Sequence, residues 1–502
     1  MSALSNLNEF LSTIGRTFAT PQLFFNIAMA TFLGMIVGML PGLTATLGVA
    51  ILTTLTFGYP PSTAIPMLVA VYIGAIYGGS RTAIVLNIPG TPASAATTVD
   101  GYPLSRSGNA GIALNVATIM SGFGSLIGAL CIVTLAPLLG SLSLKFGSWE
   151  FAVLAIFGTM IAGSLTAPKD PIKGWIAGFL GLMISQIGLD EITSFPRYAY
   201  GMIELYGGIS LLPVLVGVYG VPEILSNLQT TKEVILKFGK LGKLSNFLKL
   251  ISKNLWNGIR SGLIGVFIGI VPGVGEDVSA WVAYDVAKRT SKEPEKFGKG
   301  SIEGLAAAET ANNACVAGAT IPVLTLAVPG SAPAAVLLAA MWIHGIKAGP
   351  LLPIESPEVI PHVAAYFAVA TIIMVVLGIF ISRAFLRILL VPNEVLMPII
   401  FVLCVVGTYV LNGRIFDVWV MVLFGFLGYA MRLKDFPPAP FVLGFILGPM
   451  ADTNIRRSLM ITKGDITPFF TRPISLILII AMFLVMFGRY IPRKKKRGGE
   501  AQ

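Results

Sequence analysis

The sequence predicts an all-α polytopic membrane protein, with about eleven transmembrane segments in two inverted repeats that carry broken, Pro-Gly-containing helical hairpins. Three observations predict it. First, 55% of the 502 residues are hydrophobic and only 12% are charged, with a mean hydropathy of +0.82, far from the composition of a water-soluble domain. Second, windows such as Ala110 to Gly140, which holds no charge, and Val363 to Ser382 supply the roughly 20 apolar residues that a spanning helix needs. Third, the chain repeats its interruptions. Gly34, Gly38, Pro41 and Gly42 recur 231 positions later as Gly265, Gly269, Pro272 and Gly273, whereas Gly78, Pro89 and Gly90 recur 240 positions later as Gly318, Pro329 and Gly330. Matched, interrupted apolar segments in two halves are the sequence mark of a transporter's binding site.

Taken in order, residues 1–22 place Leu7, Phe10, Leu11 and Ile14 at helical spacing and read as an interfacial amphipathic segment. The first membrane repeat covers 23–229. Phe24 to Leu40 is one apolar half, Pro41 and Gly42 stop it, and Thr44 to Phe57 continues to a turn at Gly58 to Pro61. Proline removes a backbone donor and glycine admits positive φ, so the break has a physical cause. Ala64 to Ser80 returns, Thr82 to Ile88 leads to the second break, Asp100 to Gly108 reads as a polar loop, and further spans fall near Glu150 to Thr166, Gly174 to Gly188 and Ile209 to Val221. Residues 230–260 form a basic amphipathic linker with Lys232, Lys237, Lys240, Lys243, Lys249 and Lys253. The second repeat covers 261–455, with spans at Pro398 to Leu411, Phe416 to Met431 and Phe441 to Met450; 456–490 holds a connection and a final helix, and 491–502 is a basic tail. Basic residues in the linker and tail place both on the cytoplasmic side, which puts the N-terminus outside, although Arg432 to Asp435, Arg456 and Arg457 work against that count.

The net charge of +11 gathers in loops and in Arg493 to Arg497, a topology signal and an attraction to anionic headgroups rather than a nucleic-acid surface. Cys131, Cys315 and Cys404 lie apart in apolar segments and read as small hydrophobes. No basic region, short apolar run and cleavage site open the chain, so no cleaved signal peptide is expected. Two histidines without metal-ligand spacing, and no phosphate loop of the GxxxxGK form, speak against an enzyme; a Ser331 and His344 dyad has nothing to orient it.

Interrupted backbone at membrane depth is tolerated only around protein or a water-filled cavity. Helices restarting after the breaks offer free N–H groups and the positive end of a dipole, which suit an anion. Thr44, Thr46, Thr91, Ser94, Ser279 and Ser331 add hydroxyls there. Arg81, directly after Gly78, Gly79 and Ser80, either holds a carboxylate in a bidentate pair, snorkels, or pairs with a fixed acid. Glu276 and Asp277 follow the break at Gly273; a carboxylate there serves a coupling Na⁺ or a carried proton, with Asn312, Asn313 and Thr320 as neutral oxygens, or Asp277 simply caps a helix. An anion-selective channel using the same helix ends is the alternative to a carrier.

At these residues the sequence resembles the large membrane subunit of the tripartite tricarboxylate transporters, the TctA family. The resemblance rests on "GMLPGL", "LTFGYPPSTAI", "YIGAIYGGS", "LNIPGTPASAATTVDGYPL", "PGVGEDVSAWVAYDVAKRTSKEPEKFGKGSIEGLAAAETANNA", "VPGSAPAAVLLAAMWIHGIKAGPLL", "LGFILGPMADTNIRRSLMITKGD" and "FFTRPIS", which span nearly the whole chain. It implies a secondary transporter of the bacterial inner membrane that imports a di- or tricarboxylate such as citrate by cation symport, Na⁺ or H⁺, without a cofactor. It also implies two partners, a small TctB-like membrane subunit and an extracytoplasmic TctC-like solute-binding protein. The substrate-binding set is then Gly42, Thr44, Gly79, Ser80, Arg81, Asn87, Gly90, Thr91, Pro92, Gly273, Ser279, Gly330 and Ser331, and the coupling-cation set Asp277, Asn312, Asn313 and Thr320. Thr44 and Arg81 depart from the family's pattern, which commonly has Gly and an aliphatic residue there.

Overall fold

The computed structural model describes residues 3–40, 43–167, 170–229, 247–380 and 393–487. The linker expected over 230–260 lies outside them up to residue 246, as does the basic tail. In chain order the helices are α1 (Ala3–Ala19), α2 (Pro21–Met39), α3 (Ala45–Leu55), α4 (Pro61–Leu86), α5 (Ala95–Leu104), α6 (Ala110–Ser143), α7 (Ser148–Thr166) and α8 (Pro171–Ile184). A two-residue antiparallel pair, Gly188–Leu189 with Pro196–Arg197, precedes α9 (Leu211–Leu215) and α10 (Val221–Leu228). The second half runs through α11 (Phe247–Ile270), α12 (Gly275–Thr290), α13 (Ile302–Leu326), α14 (Ala332–Ile343), α15 (Leu352–Glu355) and α16 (Val359–Phe380). It closes with α17 (Asn393–Asn412), α18 (Ile415–Leu433), α19 (Pro438–Ile461), α20 (Thr467–Thr471) and α21 (Pro473–Phe487). Among the described residues, eight helical stretches are long and apolar enough to cross a membrane, with four shorter apolar helices beside them, so the chain is an all-α polytopic membrane protein.

Local chemistry sets the helix starts. Proline opens the first turn of α2, α4, α8 and α19, where its missing N–H costs nothing. Thr44, Ser301 and Ser331 cap α3, α13 and α14 by accepting the N–H groups of Leu47 (3.2 Å), Gly304 (3.1 Å) and Ala334 (3.4 Å). Two expectations need correction. The returning segment does not divide after Ser80 but is one helix, Pro61–Leu86, and the polar loop expected over Asp100 to Gly108 is helical at its start, where Asp100 is fully buried in α5, with an exposed kink at Gly108 (φ 86°). Asp100 is polar because it is a tie: Oδ1 accepts the N–H groups of Gly298, Gly300 and Ser301, and Oδ2 accepts the Tyr284 hydroxyl.

The repeated glycines are contact points between helices. A β-carbon at Gly34, Gly38 or Gly78 would overlap the carbonyl oxygen of Val71, Ala75 or Met35, where α2 crosses α4. A β-carbon at Gly265 or Gly318 would overlap the carbonyl of Ala311 or Val266, and one at Gly269 would lie 2.6 Å from that of Cys315, where α11 crosses α13. Every partner in the first set maps onto its counterpart in the second by the same two sequence shifts, so the two helix pairs pack alike. From Gly304 to Leu326 every residue of α13 is buried, between α6, α11 and α12.

Helix α1 keeps Leu7 and Leu11 exposed, buries Phe10 and packs on α16, with Glu9 bonded to His362 at 2.9 Å. In the α8–α9 connection, Asp190 pairs with Arg456 and with Arg197 (3.3 Å), and it accepts the N–H groups of Ile192 and Thr193. The Arg456 bond, foremost, and these N–H groups hold the carboxyl well below the usual carboxylate range. A depressed folded value contributes stability that is present above the unfolded value, about pH 3.9, and is lost as pH falls through the folded one. The stability difference between the wild type and Asp190→Asn, followed by thermal unfolding, is therefore expected to stay flat from neutral pH to about pH 5 and to shrink only in stronger acid.

Candidate substrate and cation site

The breaks close in the same way in both halves. Helix α4 ends at Asn87 and α13 at Ala327, both left-handed (φ 59° and 57°), and their N–H groups reach back to Thr82 O and Pro322 O. Gly90 N–H then bonds Gly79 O at 3.2 Å, and Gly330 N–H bonds Ala319 O at 3.3 Å, again one shift of 240 apart. A β-carbon at Gly90 would overlap Gly38 O, and one at Gly330 would overlap Gly269 O. The extended turn after α4 is thus pressed onto the α2–α4 pair, and that after α13 onto the α11–α13 pair.

The expected free N–H groups are partly spent. Gly273 (φ 71°) donates to Pro329 O at 3.3 Å and Gly275 to Gly330 O at 3.2 Å, so the two breaks of the second half are bonded to each other. The halves also interlock. The Tyr72 hydroxyl on α4 bonds Glu276 at the start of α12 and Ser331 Oγ at 2.6 Å. The turn after Thr91 packs on α12 and α13, and Asn312 Nδ2 reaches Ala93 O at 3.4 Å.

Gly42 lies outside the described residues. Thr44 is half-buried and lines a cavity of about 670 Å³ together with Tyr219, Lys173, Glu223 and Arg432; among the described site residues it alone does so. Gly79, Ser80 and Arg81 are buried within α4, whereas Asn87 and Pro92 are exposed at the turn. Thr91 is buried, and its Oγ1 has no hydrogen-bond partner among the described residues. Arg81 Nη2 bonds the Tyr77 hydroxyl, Thr118 Oγ1 (2.8 Å) and Gly378 O (2.7 Å). Ser279 Oγ donates to Glu276 O (2.9 Å) and Ala311 O (3.2 Å).

Of the expected cation ligands, Asn313 Nδ2 bonds Asn312 Oδ1 at 2.6 Å, and both residues are fully buried. Thr320 turns its hydroxyl back to Val316 O at 2.8 Å on its own helix. Asp277 is half-buried on α12. Sequence reasoning passed over Glu309, fully buried one turn before Asn313, with Ser80 Oγ at 2.9 Å and Ser121 Oγ at 2.7 Å on Oε2 and Thr97 on Oε1. The signal was available: beyond the first turn of α13, Glu309 is the sole charged residue in a helix otherwise apolar or neutral.

Matched helix pairs, each closed by a bonded Pro-Gly turn and meeting at buried polar side chains, define the class as a membrane transporter component. The sequence profile of the Tripartite tricarboxylate transporter TctA family matches residues 24–443, and the chain belongs to that family, the membrane component of tripartite transporters. It is 34% identical over 470 residues, 93% of each chain, to an uncharacterized 52.8 kDa protein from the region 3′ of ttuC′ in TAR-I of Agrobacterium vitis. It is 35% identical over 211 residues, 42% of this chain and 87% of the relative, to an uncharacterized protein from the corresponding TAR-II region of the same organism. No solved structure matches.

Proposed function

We propose that this chain is the large subunit of a secondary active transporter that imports a di- or tricarboxylate, citrate-like, by cation symport. The halves act as inverted repeats, and the substrate carboxylates lie at the helix N-termini beyond the turns at Gly90 and Gly330. The observation that carries this reading is the junction of Tyr72 with Glu276 and Ser331, which brings a helix of the first half to both breaks of the second. Helix N-termini favour anions, and broken helices at a repeat interface are where carriers hold cargo and coupling ions. Na⁺ or H⁺ supplies the drive. A small membrane subunit and an extracytoplasmic binding protein complete the assembly in the bacterial inner membrane, with the C-terminus cytoplasmic.

The test is uptake of labelled di- and tricarboxylates into proteoliposomes holding the full assembly, with and without an inward Na⁺ gradient at fixed pH. Accumulation of one acid above equilibrium is the expected result. Gly90→Trp abolishes it, because the indole has to displace Gly38 O as well as Gly79 Cα and Thr82 Oγ1, each 2.8 Å from a β-carbon at position 90. Equilibration without accumulation, under Na⁺ and proton gradients alike, identifies a channel instead.

A further inference from the structure

We propose that Glu309 anchors a sodium site inside the protein, walled by Ser80, Thr97, Ser121, Ser125 and Asn313. Glu309 is fully buried in a helix that is buried along its length, where a bare charge is costly unless it is compensated. Three hydroxyls from three different helices converge on it: Ser80 from α4, Thr97 from α5 and Ser121 from α6. Hydroxyls soften the charge without neutralising it, and each has lone pairs to turn towards a cation, since its proton rotates freely. Arg81, the residue after Ser80, attracts the Glu309 carboxylate electrostatically, while its guanidinium hydrogen-bonds Tyr77, Thr118 and Gly378.

An independent observation lies one helical turn further on. Ser125 Oγ on α6 and Asn313 Oδ1 on α13 are both in fully buried residues, and neither has a hydrogen-bond partner among the described residues. Ser125 and Asn313 each lie four residues beyond the bonded pair Ser121 and Glu309 on the two helices. Helices α6 and α13 run parallel, with Ser121 bonded to Glu309, a β-carbon at Gly124 overlapping Thr310 O, and one at Gly128 lying 2.5 Å from Ala317 Cβ and 3.1 Å from Ala314 O. Buried oxygens left unbonded call for an ion or water, and a cation is what satisfies oxygens while neutralising a carboxylate. A single carboxylate among neutral oxygens matches a monovalent ion; divalent Ca²⁺ sites draw on several carboxylates, and softer metals favour sulfur or imidazole. The use of this ion to drive cargo rests on the symport proposed above, but its binding does not.

The test is thermal unfolding of the purified full-length protein in detergent, titrated with NaCl against KCl at constant ionic strength and pH. Sodium is expected to raise the midpoint saturably and potassium is not. Glu309→Gln needs about tenfold more sodium or loses the effect. Ser125→Ala removes a hydroxyl with no hydrogen-bond partner among the described residues, so it folds as well as the wild type in KCl but also needs more sodium, whereas Ser141→Ala, exposed on the same helix, changes neither. Equal midpoints in NaCl and KCl for the wild type, or an unchanged sodium titration in Ser125→Ala, overturn the site. Sodium-driven uptake with unchanged sodium affinity in Ser125→Ala removes this site and leaves symport standing. Sodium binding that is lost in Ser125→Ala, in a wild type that shows no gradient-driven uptake, keeps the site and removes symport.

Discussion

Gly38→Leu is expected to cost about 3 kcal/mol or more and to leave little folded protein in the membrane. The position is held from two directions. A β-carbon there would overlap Ala75 O on α4, and Gly38 O itself faces the place where a β-carbon of Gly90 would sit. Both obstacles are backbone atoms, which cannot rotate away as a flexible side chain does, so the helix pair has to separate along its length. The matched Gly269, 2.6 Å from Cys315 O by the same construction, is expected to behave alike. Gly58→Leu is the control, since a β-carbon there meets nothing within 4 Å. Size-exclusion profile and thermal midpoint in detergent read the result, and a well-folded Gly38→Leu protein would show that the two helices do not cross as closely as described.

Asp100→Ala is expected to destabilise by about 3 kcal/mol, and Asp100→Asn by about 1 kcal/mol. Oδ1 accepts three backbone N–H groups, from Gly298 (2.8 Å), Gly300 (2.9 Å) and Ser301 (2.8 Å), and Oδ2 takes the Tyr284 hydroxyl at 2.8 Å. Water reaches the exposed Gly298 once the carboxylate is gone, but Ser301 N–H and the Tyr284 hydroxyl are buried, and each buried donor left alone costs about 1–3 kcal/mol. Asparagine keeps the accepting oxygen and offers an N–H to the tyrosine oxygen, hence the smaller loss. Equal losses in the two variants would mean that the negative charge, not the acceptor geometry, holds α5 to the turn before α13.

Where the signal was local, the sequence was legible. The apolar runs mark membrane-spanning lengths directly, whereas Pro61, read as the end of a turn, opens α4, and Thr44 and Ser331, read as substrate hydroxyls, cap α3 and α14. The doubled glycines were legible as a repeat. Asp100 misled because a charged residue near glycine and proline looks like a loop, and only its partners 184 to 201 positions away make it an interior acceptor. The hydrogen-bond acceptors described for Arg81 come from α4, α6 and α16, and no spacing rule brings those together.

By itself, then, the sequence determined the class of chain, its membrane character, its repeated glycines and where α4 and α13 end, all consequences of composition and short-range backbone preference. Tertiary structure alone decided which break bonds which, that Gly273 and Gly275 give their N–H groups to the opposite turn, and that Ser80, Thr97 and Ser121 converge on Glu309. The physical reason is that a buried polar group takes its identity from its partners, and partners drawn from four helices are fixed by packing rather than by any pattern along the chain.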